Sequence, residues 1–527
     1  MLDALLDFPQ LETVTCRHEG GAGFMAIADA RATGRPGLVM VSRGPGAANA
    51  AIALHSAQQD AVPLILVVGQ VPRRSRHRQA FQEIDYQAMF GTVAKWVFEA
   101  SEPVQLAEAG LKALRAATAG TPGPVVLVLP EDVQNQPVPK PSWYFSRPAP
   151  SLPVAPALEE VRGLLASCQR PLIVAGASFD RPGGRPALQA FAEAWHVPVA
   201  TSFRRQDLFD NTHDLYTGEL GLSCTPAQIA AYQRSDLILA LGTRLGDVTS
   251  QGFQFPGVPM ASQLLVHAHP DHAVIGEHRS AHHGLVCDPV ELTRALRPSS
   301  PWTPPRGRRS WVWRASAEQR RSQSTCSHGH EGAEFEPLVL ALGRHAPREL
   351  VLCVDAGAFA IPVYKRFSFK PPQRLLAPQS GAMGFAVPAA VAMQLRQPHA
   401  KVVCLVGDGG FMMTGGEMIA AVERRLPILF LVCNNASYGS IRAKQEQAHP
   451  GRPNGVHLFN PDFRELAMSF GMKSQRVDMD ADLDAVIADA LGLQEPTLVE
   501  IVAHARPRPT FRQNTEPVDE RAALMAG

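Results

Sequence analysis

Nine short runs rich in Leu, Val and Ile punctuate the chain, each separated from the next by Ala-rich or otherwise helical sequence. They fall at residues 38–42, 64–68 and 125–129, at 172–175, 237–241 and 264–266, and at 350–354, 401–406 and 428–432. A strand that is apolar without alternation is buried on both faces, and a parallel sheet with helices on each side provides that burial. The fold class this predicts is α/β, built from doubly wound parallel sheets.

Two stretches interrupt the pattern and sort the runs into three groups. Residues 134–156 (QNQPVPKPSWYFSRPAPSLPVAP) are Pro-rich, which removes backbone donors and stiffens the chain, so they read as an interdomain tether. Residues 297–332 mix Pro, Ser, Arg and His with no sustained apolar period and read as a second, solvated linker, with Arg306 to Arg309 and Arg320-Arg321 facing water. Three doubly wound domains are therefore expected, at residues 1–133, 157–296 and 333–527.

Charge and cysteine usage remove several function classes. With 50 Lys+Arg against 49 Asp+Glu, no global field draws nucleic acid or an anionic membrane. The basic clusters at 73–78 (RRSRHR) and from Arg506 to Arg512 lack interleaved aromatics beyond Phe511, so they read as subunit or solvent contacts rather than nucleic-acid sites. The eight cysteines include no Cys-x-x-Cys pair, which fits a reducing compartment. Residues 1–7 have no basic region ahead of an apolar core, and no apolar run is long enough to cross a bilayer. A cytoplasmic protein with neither nucleic-acid nor membrane partners is expected.

The sharpest chemical signal lies in the third group. The run at 401–406 leads into Gly407-Asp408-Gly409-Gly410 and then an Ala-rich helix around Glu417 to Arg425. Pro427 stops that helix, and the run at 428–433 ends in Asn434-Asn435. In one βαβ unit the two strand ends lie together at the carboxyl edge of the sheet, where ligands bind. A carboxylate and an amide oxygen meeting there suit Mg²⁺, which takes hard oxygen ligands and part of its shell from a substrate phosphate. Gly409 and Gly410 let backbone N–H groups approach a diphosphate at a helix N-terminus.

GDG and Asn-Asn separated by residues 410–433 resemble the Mg²⁺-diphosphate motif of the thiamine diphosphate enzymes. That resemblance implies thiamine diphosphate and Mg²⁺ as cofactors. It implies Asp408 and Asn435 as side-chain metal ligands, the Ser437 carbonyl as the third, and Gly409, Gly410 and Gly439 in cofactor binding. The stretch HEGGAGFMAIADARATGRPG after a possible strand end at 14–16 resembles the pyrimidine-binding domain of the acetolactate synthases and their relatives. There the Glu after His, here Glu19, exchanges a proton with the aminopyrimidine ring, a role that burial favours by raising its pKa. Taken alone, Glu19 reads first as an acidic first-turn residue on a helix dipole, and the companion GDG…Asn-Asn motif turns the reading to catalysis. Residues 42–49 (SRGPGAAN) resemble the family's Gly-Pro-Gly turn. Phe81 and Gln82 match a segment facing the reactive side of the cofactor. Gly381 and Met383 match the loop whose apolar wedge bends it, with the Gly381 carbonyl accepting from the exocyclic amine.

Several positions depart from the family. The first domain is expected to be N-terminally short. Val248 replaces an Arg that helps bind the 2-oxo acid carboxylate, Lys444 replaces a Trp, and Ala358-Phe359 replaces a polar Gln-His turn. Gly242-Thr243-Arg244 and residues 266–270 occupy the positions that hold FAD in some members but diverge from them, so FAD is not expected. His282-His283 reads as a surface pair, and Lys95 either faces the substrate channel or snorkels to the surface. The resemblance implies decarboxylation of a 2-oxo acid, with pyruvate the first substrate to consider, followed by carboligation or aldehyde release. It also implies a homodimer or homotetramer with Glu19 from one subunit and Asp408 and Asn435 from another. The rival readings are a 2-hydroxyacyl-CoA lyase using Arg506, Arg508 and Arg512, and a non-catalytic cofactor-binding paralogue.

Overall fold

The structure, a computed structural model, describes residues 2–138, 146, 148–298, 302–324 and 332–503. Among them, three sheets form. The first contains β1 (Gly37–Val41), β2 (Leu64–Gln70), β3 (Trp96–Glu99) and β4 (Pro124–Pro130) in the order β1-β2-β4-β3. The second contains β5 (Pro171–Ala175), β6 (Val199–Ser202), β7 (Tyr216–Leu220), β8 (Leu237–Leu241), β9 (Leu264–His269) and β10 (His283–Val286), ordered β10-β9-β8-β5-β6-β7. The third contains β11 (Leu350–Val354), β12 (Arg374–Leu376), β13 (Lys401–Gly407), β14 (Leu429–Asn434), β15 (Lys473–Asp478) and β16 (Thr497–Val502), ordered β12-β11-β13-β14-β16-β15. Every pairing between these strands is parallel. All nine apolar runs form the body of a strand. Every residue of β5, β8 and β11 is buried, as helices on both faces require.

Much of the second expected linker is a helix. Residues Arg306–Ser324 form a helix packed on β7 and on the helix Pro226–Tyr232 of the middle sheet. Its buried stripe is Arg308, Trp311, Val312 and Ala315, an i, i+3, i+4, i+7 pattern headed by an arginine. The arginine disguised the stripe. Far from facing water, the fully buried Arg308 guanidinium donates to the carbonyls of Trp195, Leu165 and Cys168 and lies 4.9 Å over the Trp302 ring. Arg308→Met keeps the bulk but strands those carbonyls, and it is expected to cost about 3 kcal/mol. A thermal melt with an unchanged midpoint would contradict this.

A second correction concerns residues 14–16, which form no strand. The segment is drawn instead onto the third domain, where the Arg424 side chain donates to the Glu12 carboxylate and the Thr13 carbonyl.

The three sheets meet at one buried acid. Asp180, in the middle domain, takes Arg31 from the first domain at 3.0 Å, Arg374 from the third at 2.8 Å, and Arg185 and Arg205 at 2.8 Å each. Burial alone would raise its carboxyl, but the four guanidinium groups, Arg374 foremost, hold it well below the usual range. Nearby Glu219 behaves oppositely. Burial pushes it up to about 7, although it accepts from the Arg204 backbone N–H and the Ser223 hydroxyl. A carboxyl raised on folding adds stability that is complete below its unfolded value and lost as pH rises through its folded one. Glu219→Gln is therefore expected to flatten part of the melting profile between about pH 4.5 and about pH 7. Parallel wild-type and variant profiles would refute the assignment.

Candidate active site

The third sheet reverses direction at β11 and β13, because the chain leaves β11 toward β12 and returns on the other side as β13. At such a switch point the loops leaving the carboxyl ends diverge and open a crevice. The cleft found there is lined by the loop after β11, the first helical turn (408–410) after β13 and the segment after β14. Gly407 and Cys433 pair across β13 and β14, so Asp408 emerges beside Asn434, with Asn435 one residue further into the cleft. Asp408, Gly409, Gly410, Asn435, Ser437 and Gly439 all line this cleft, and Met383 faces them from the loop after β12.

Asp408 is the first residue of the helix Asp408–Thr414, which begins directly at the strand end; a 3₁₀ turn, Gly415–Glu417, then separates it from the expected Ala-rich helix. Asp408 Oδ1 accepts from Gly409 N at 2.9 Å and Oδ2 from Asn460 Nδ2 at 2.8 Å. Burial raises its carboxyl despite these donors, and no basic side chain pairs with it among the described residues. The Asn435 amide nitrogen donates to Glu334 at 3.4 Å. Ala436 turns the chain at φ +50°, and the buried Ser437 hydroxyl has no partner. The candidate donors are all oxygen: the Asp408 carboxylate, which has no basic partner among the described residues, the Asn435 amide oxygen and the Ser437 carbonyl, which accepts from Gly439 N at 2.8 Å and keeps a second lone pair, a set that fits a hard divalent cation. A Cβ on Gly409 would lie 2.7 Å from the Tyr438 ring and 3.3 Å from Met383 Cε, so only glycine keeps the cradle open.

The Met383 loop is anchored by all three domains. Gly381 turns it at φ +72°. Asp60 of the first domain accepts from Gln379 N at 2.7 Å and Ser380 N at 3.2 Å, and the middle domain's Phe203 carbonyl accepts from the Gln379 amide at 3.1 Å. Asp355, after β11, accepts from Gly384 N at 2.8 Å and Phe385 N at 3.1 Å. Burial pushes Asp355 up to about 6 against those donors. Neither buried carboxylate, nor Asn460, stood out in the sequence: Asp355 and Asn460 each stand between apolar residues, and Asp60 ends the polar run Gln58-Gln59-Asp60 with no local pattern to mark it. Ala358 and Phe359 add an apolar wall to the cleft, with the Phe359 ring over Gly407.

Glu19 opens the helix Glu19–Thr33, whose N-cap His18 accepts from Gly20 N at 3.0 Å through Nδ1. A Cβ on Gly23 would lie 2.2 Å from that of Ala53, which explains the glycine-rich start of this helix. Glu417 of the third domain fixes the entry by accepting from Arg17 N and His18 N. In the single chain Glu19 is not shifted upward. Asn49 donates to its Oε2 at 3.0 Å and, with little burial in the single chain to oppose it, holds the carboxyl below its ordinary value. Glu19, Phe81, Gln82 and Gly381 do not line the Asp408 cleft. Phe81 is 80% exposed, and Gln82, at φ +65°, packs on the Gly44 turn.

Other predicted residues have local partners. Lys95 donates to the carbonyls of Ala119 and Thr121, closing a helix end instead of facing a channel. In the basic cluster, Arg73 pairs with Asp132 and Glu102, and Arg76 with Glu83 and Glu99, within the same chain. His283 reaches Glu160 at 3.4 Å. Gly242, Thr243, Arg244, His269 and Pro270 border a second cavity of about 1600 Å³ between the first and middle domains. Arg506, Arg508 and Arg512 lie outside the described residues.

Three parallel α/β domains, with an oxygen-lined, glycine-floored crevice at the switch point of the last, are the architecture of an α/β enzyme with a ligand site at a sheet edge. Comparison with known proteins gives the family. The central domain of the thiamine pyrophosphate enzymes matches residues 158–296, their N-terminal TPP binding domain residues 1–89, and their C-terminal TPP binding domain residues 355–501. The chain is 30% identical to the acetolactate synthase isozyme 2 large subunit of Escherichia coli K12, over 95% of this chain and 90% of that protein. It is 31% identical to an acetolactate synthase of Mycobacterium avium, over 95% and 83%. It is 28% identical to a probable acetolactate synthase large subunit of Methanocaldococcus jannaschii, over 95% and 86%. The chain belongs to the thiamine pyrophosphate enzyme family.

Proposed function

We propose that the chain is a thiamine diphosphate- and Mg²⁺-dependent enzyme that decarboxylates a 2-oxo acid and then ligates the remaining acyl unit to a second carbonyl or releases it as an aldehyde. The observation that carries this reading is the convergence of Asp408, Asn435, Ser437 and Met383 on one cleft. Bound there, thiamine diphosphate supplies the carbon nucleophile and the sink for the electrons left by CO₂. Asp408, Asn435 and the Ser437 carbonyl would hold the cation, Gly409, Gly410 and Gly439 would admit the diphosphate, and Met383, backed by the Gly381 turn, would set its bend. Glu19 holds and returns a proton at its carboxylate, and Phe81 and Gln82 shape the reactive side.

A single chain does not complete this site. Glu19 and Phe81 lie outside the Asp408 cleft, while Phe81, Met412, Met413 and Ile52 are exposed at 80%, 53%, 48% and 42%. Large apolar side chains standing free around a half-built site support a homodimer, alone or paired into a tetramer, that joins Glu19 of one copy to Asp408 of another. FAD is not part of the proposal, because Arg244 in the second cavity already donates to the carbonyls of Gln58 and Gln59. The free thiols of the described cysteines support a reducing, cytoplasmic setting. Incubation with pyruvate, both cofactors and chromatographic separation of products tests the reaction. An acetolactate-type product is expected from ligation and acetaldehyde from simple decarboxylation, and recovery of unchanged pyruvate would exclude pyruvate as the substrate.

A further inference from the structure

Behind the Asp408 carboxylate runs a chain of polar groups of which only Asn434 belongs to the metal-binding motif, and none is among the ligands assigned to it. Glu500, on β16, is fully buried, and its Oε1 accepts from Asn434 Nδ2 at 2.7 Å. Asn434 Oδ1 in turn accepts from Ala436 N at 3.1 Å and Asn460 Nδ2 at 3.0 Å. The same Asn460 nitrogen donates to Asp408 Oδ2 at 2.8 Å. The polarity of this string is forced. A carboxylate at Glu500 and a backbone N–H at Ala436 leave the Asn434 amide only one orientation, so Asn460 must present its NH₂ group, whose two hydrogens go to Asn434 and Asp408.

We infer that Asn460 is a positioning residue for the metal centre, with Asn434 and Glu500 setting its orientation. This rests on reading Asp408 as a metal ligand. Gly409 N holds one carboxylate oxygen and Asn460 the other, so the group cannot rotate about its last torsion, while each oxygen keeps a lone pair for a cation. Without Asn460, Asp408 keeps the Gly409 N–H and the neighbouring Ala436 and Ser437 backbone groups but loses its one side-chain donor, so part of its ordering falls to the cation and affinity falls by the entropy of that part. Glu500 reaches the site only through two amides, and its other oxygen has no partner, so its effect is transmitted rather than direct.

The test is titration of the full chain with Mn²⁺, standing in for Mg²⁺, at saturating thiamine diphosphate, read by electron paramagnetic resonance of free and bound metal. Asn460→Ala is expected to weaken Mn²⁺ by ~10–100-fold with an unchanged metal-free melting midpoint. Glu500→Gln, which keeps an oxygen for Asn434, is expected to retain wild-type affinity, whereas Glu500→Leu weakens it like Asn460→Ala. Wild-type affinity in Asn460→Ala, or a loss matched by a fall in its metal-free midpoint, would overturn the inference while leaving the proposed function standing. A wild-type chain that takes no Mn²⁺ would instead remove the metal site, and this inference with it.

Discussion

Glu19→Gln is expected to bind thiamine diphosphate and Mg²⁺ as the wild type does and to lose ~10²–10⁴-fold in turnover. The substitution keeps the shape, the first-turn position and an oxygen for the Asn49 amide, which now lies 3.0 Å from Oε2. It removes only the capacity to take up and return a proton. In the single chain Asn49 favours the ionised form. A second subunit closing over this face would add the burial that pushes the carboxyl back up, so an assembled enzyme should titrate Glu19 higher than the isolated chain does. Turnover unchanged in the variant would take Glu19 out of the chemistry and leave it as a helix-start acid.

Asp408→Ala is expected to abolish cofactor retention, weakening Mg²⁺-dependent thiamine diphosphate binding by more than ~100-fold, since loss of a direct ligand exceeds the loss of a group that orients one. Calorimetry with and without Mg²⁺ reads this, and a variant that binds the cofactor as tightly as wild type would place the cation elsewhere. The two inactive variants also test the arrangement between subunits. Co-refolded in equal amounts, Glu19→Gln and Asp408→Ala chains should regain about a quarter of wild-type activity, because half the dimers are mixed and each mixed dimer has one intact site of two. A mixture as inactive as its components would mean that each site is built within one chain.

The fold was legible because β-strands buried on both faces must be apolar throughout, and most of the nine runs wrote that demand directly into the chain, with the edge strand β1 equally apolar although Leu38 is exposed. Edge strands escape the demand: β15 (KSQRVD) exposes much of its length and β12 has only three residues. The helix Arg306–Ser324 hid for a different reason, since its stripe is headed by a buried arginine whose charge meets backbone carbonyls rather than water. At the site, residues bound to one strand-helix-strand unit could be found, because local spacing places Asp408 and Asn435 together. Asn460, Asp355 and Asp60 could not. Each acts through backbone groups or amides far away in sequence, as when Asp60 reaches Gln379 and Ser380, and no local pattern marks such a partner. The upward shift that would suit Glu19 to its role requires burial, and burial at this position depends on what covers the chain rather than on the residues around it.

The central claim is that the Asp408 crevice holds thiamine diphosphate through a cation and uses it on a 2-oxo acid. The most direct measurement is calorimetric titration of the purified chain with thiamine diphosphate and Mg²⁺, followed in the same sample by CO₂ release from a panel of 2-oxo acids. Mg²⁺-dependent binding followed by CO₂ release from at least one acid is the expected result. Absence of binding, or binding with no CO₂ from any acid, would contradict it.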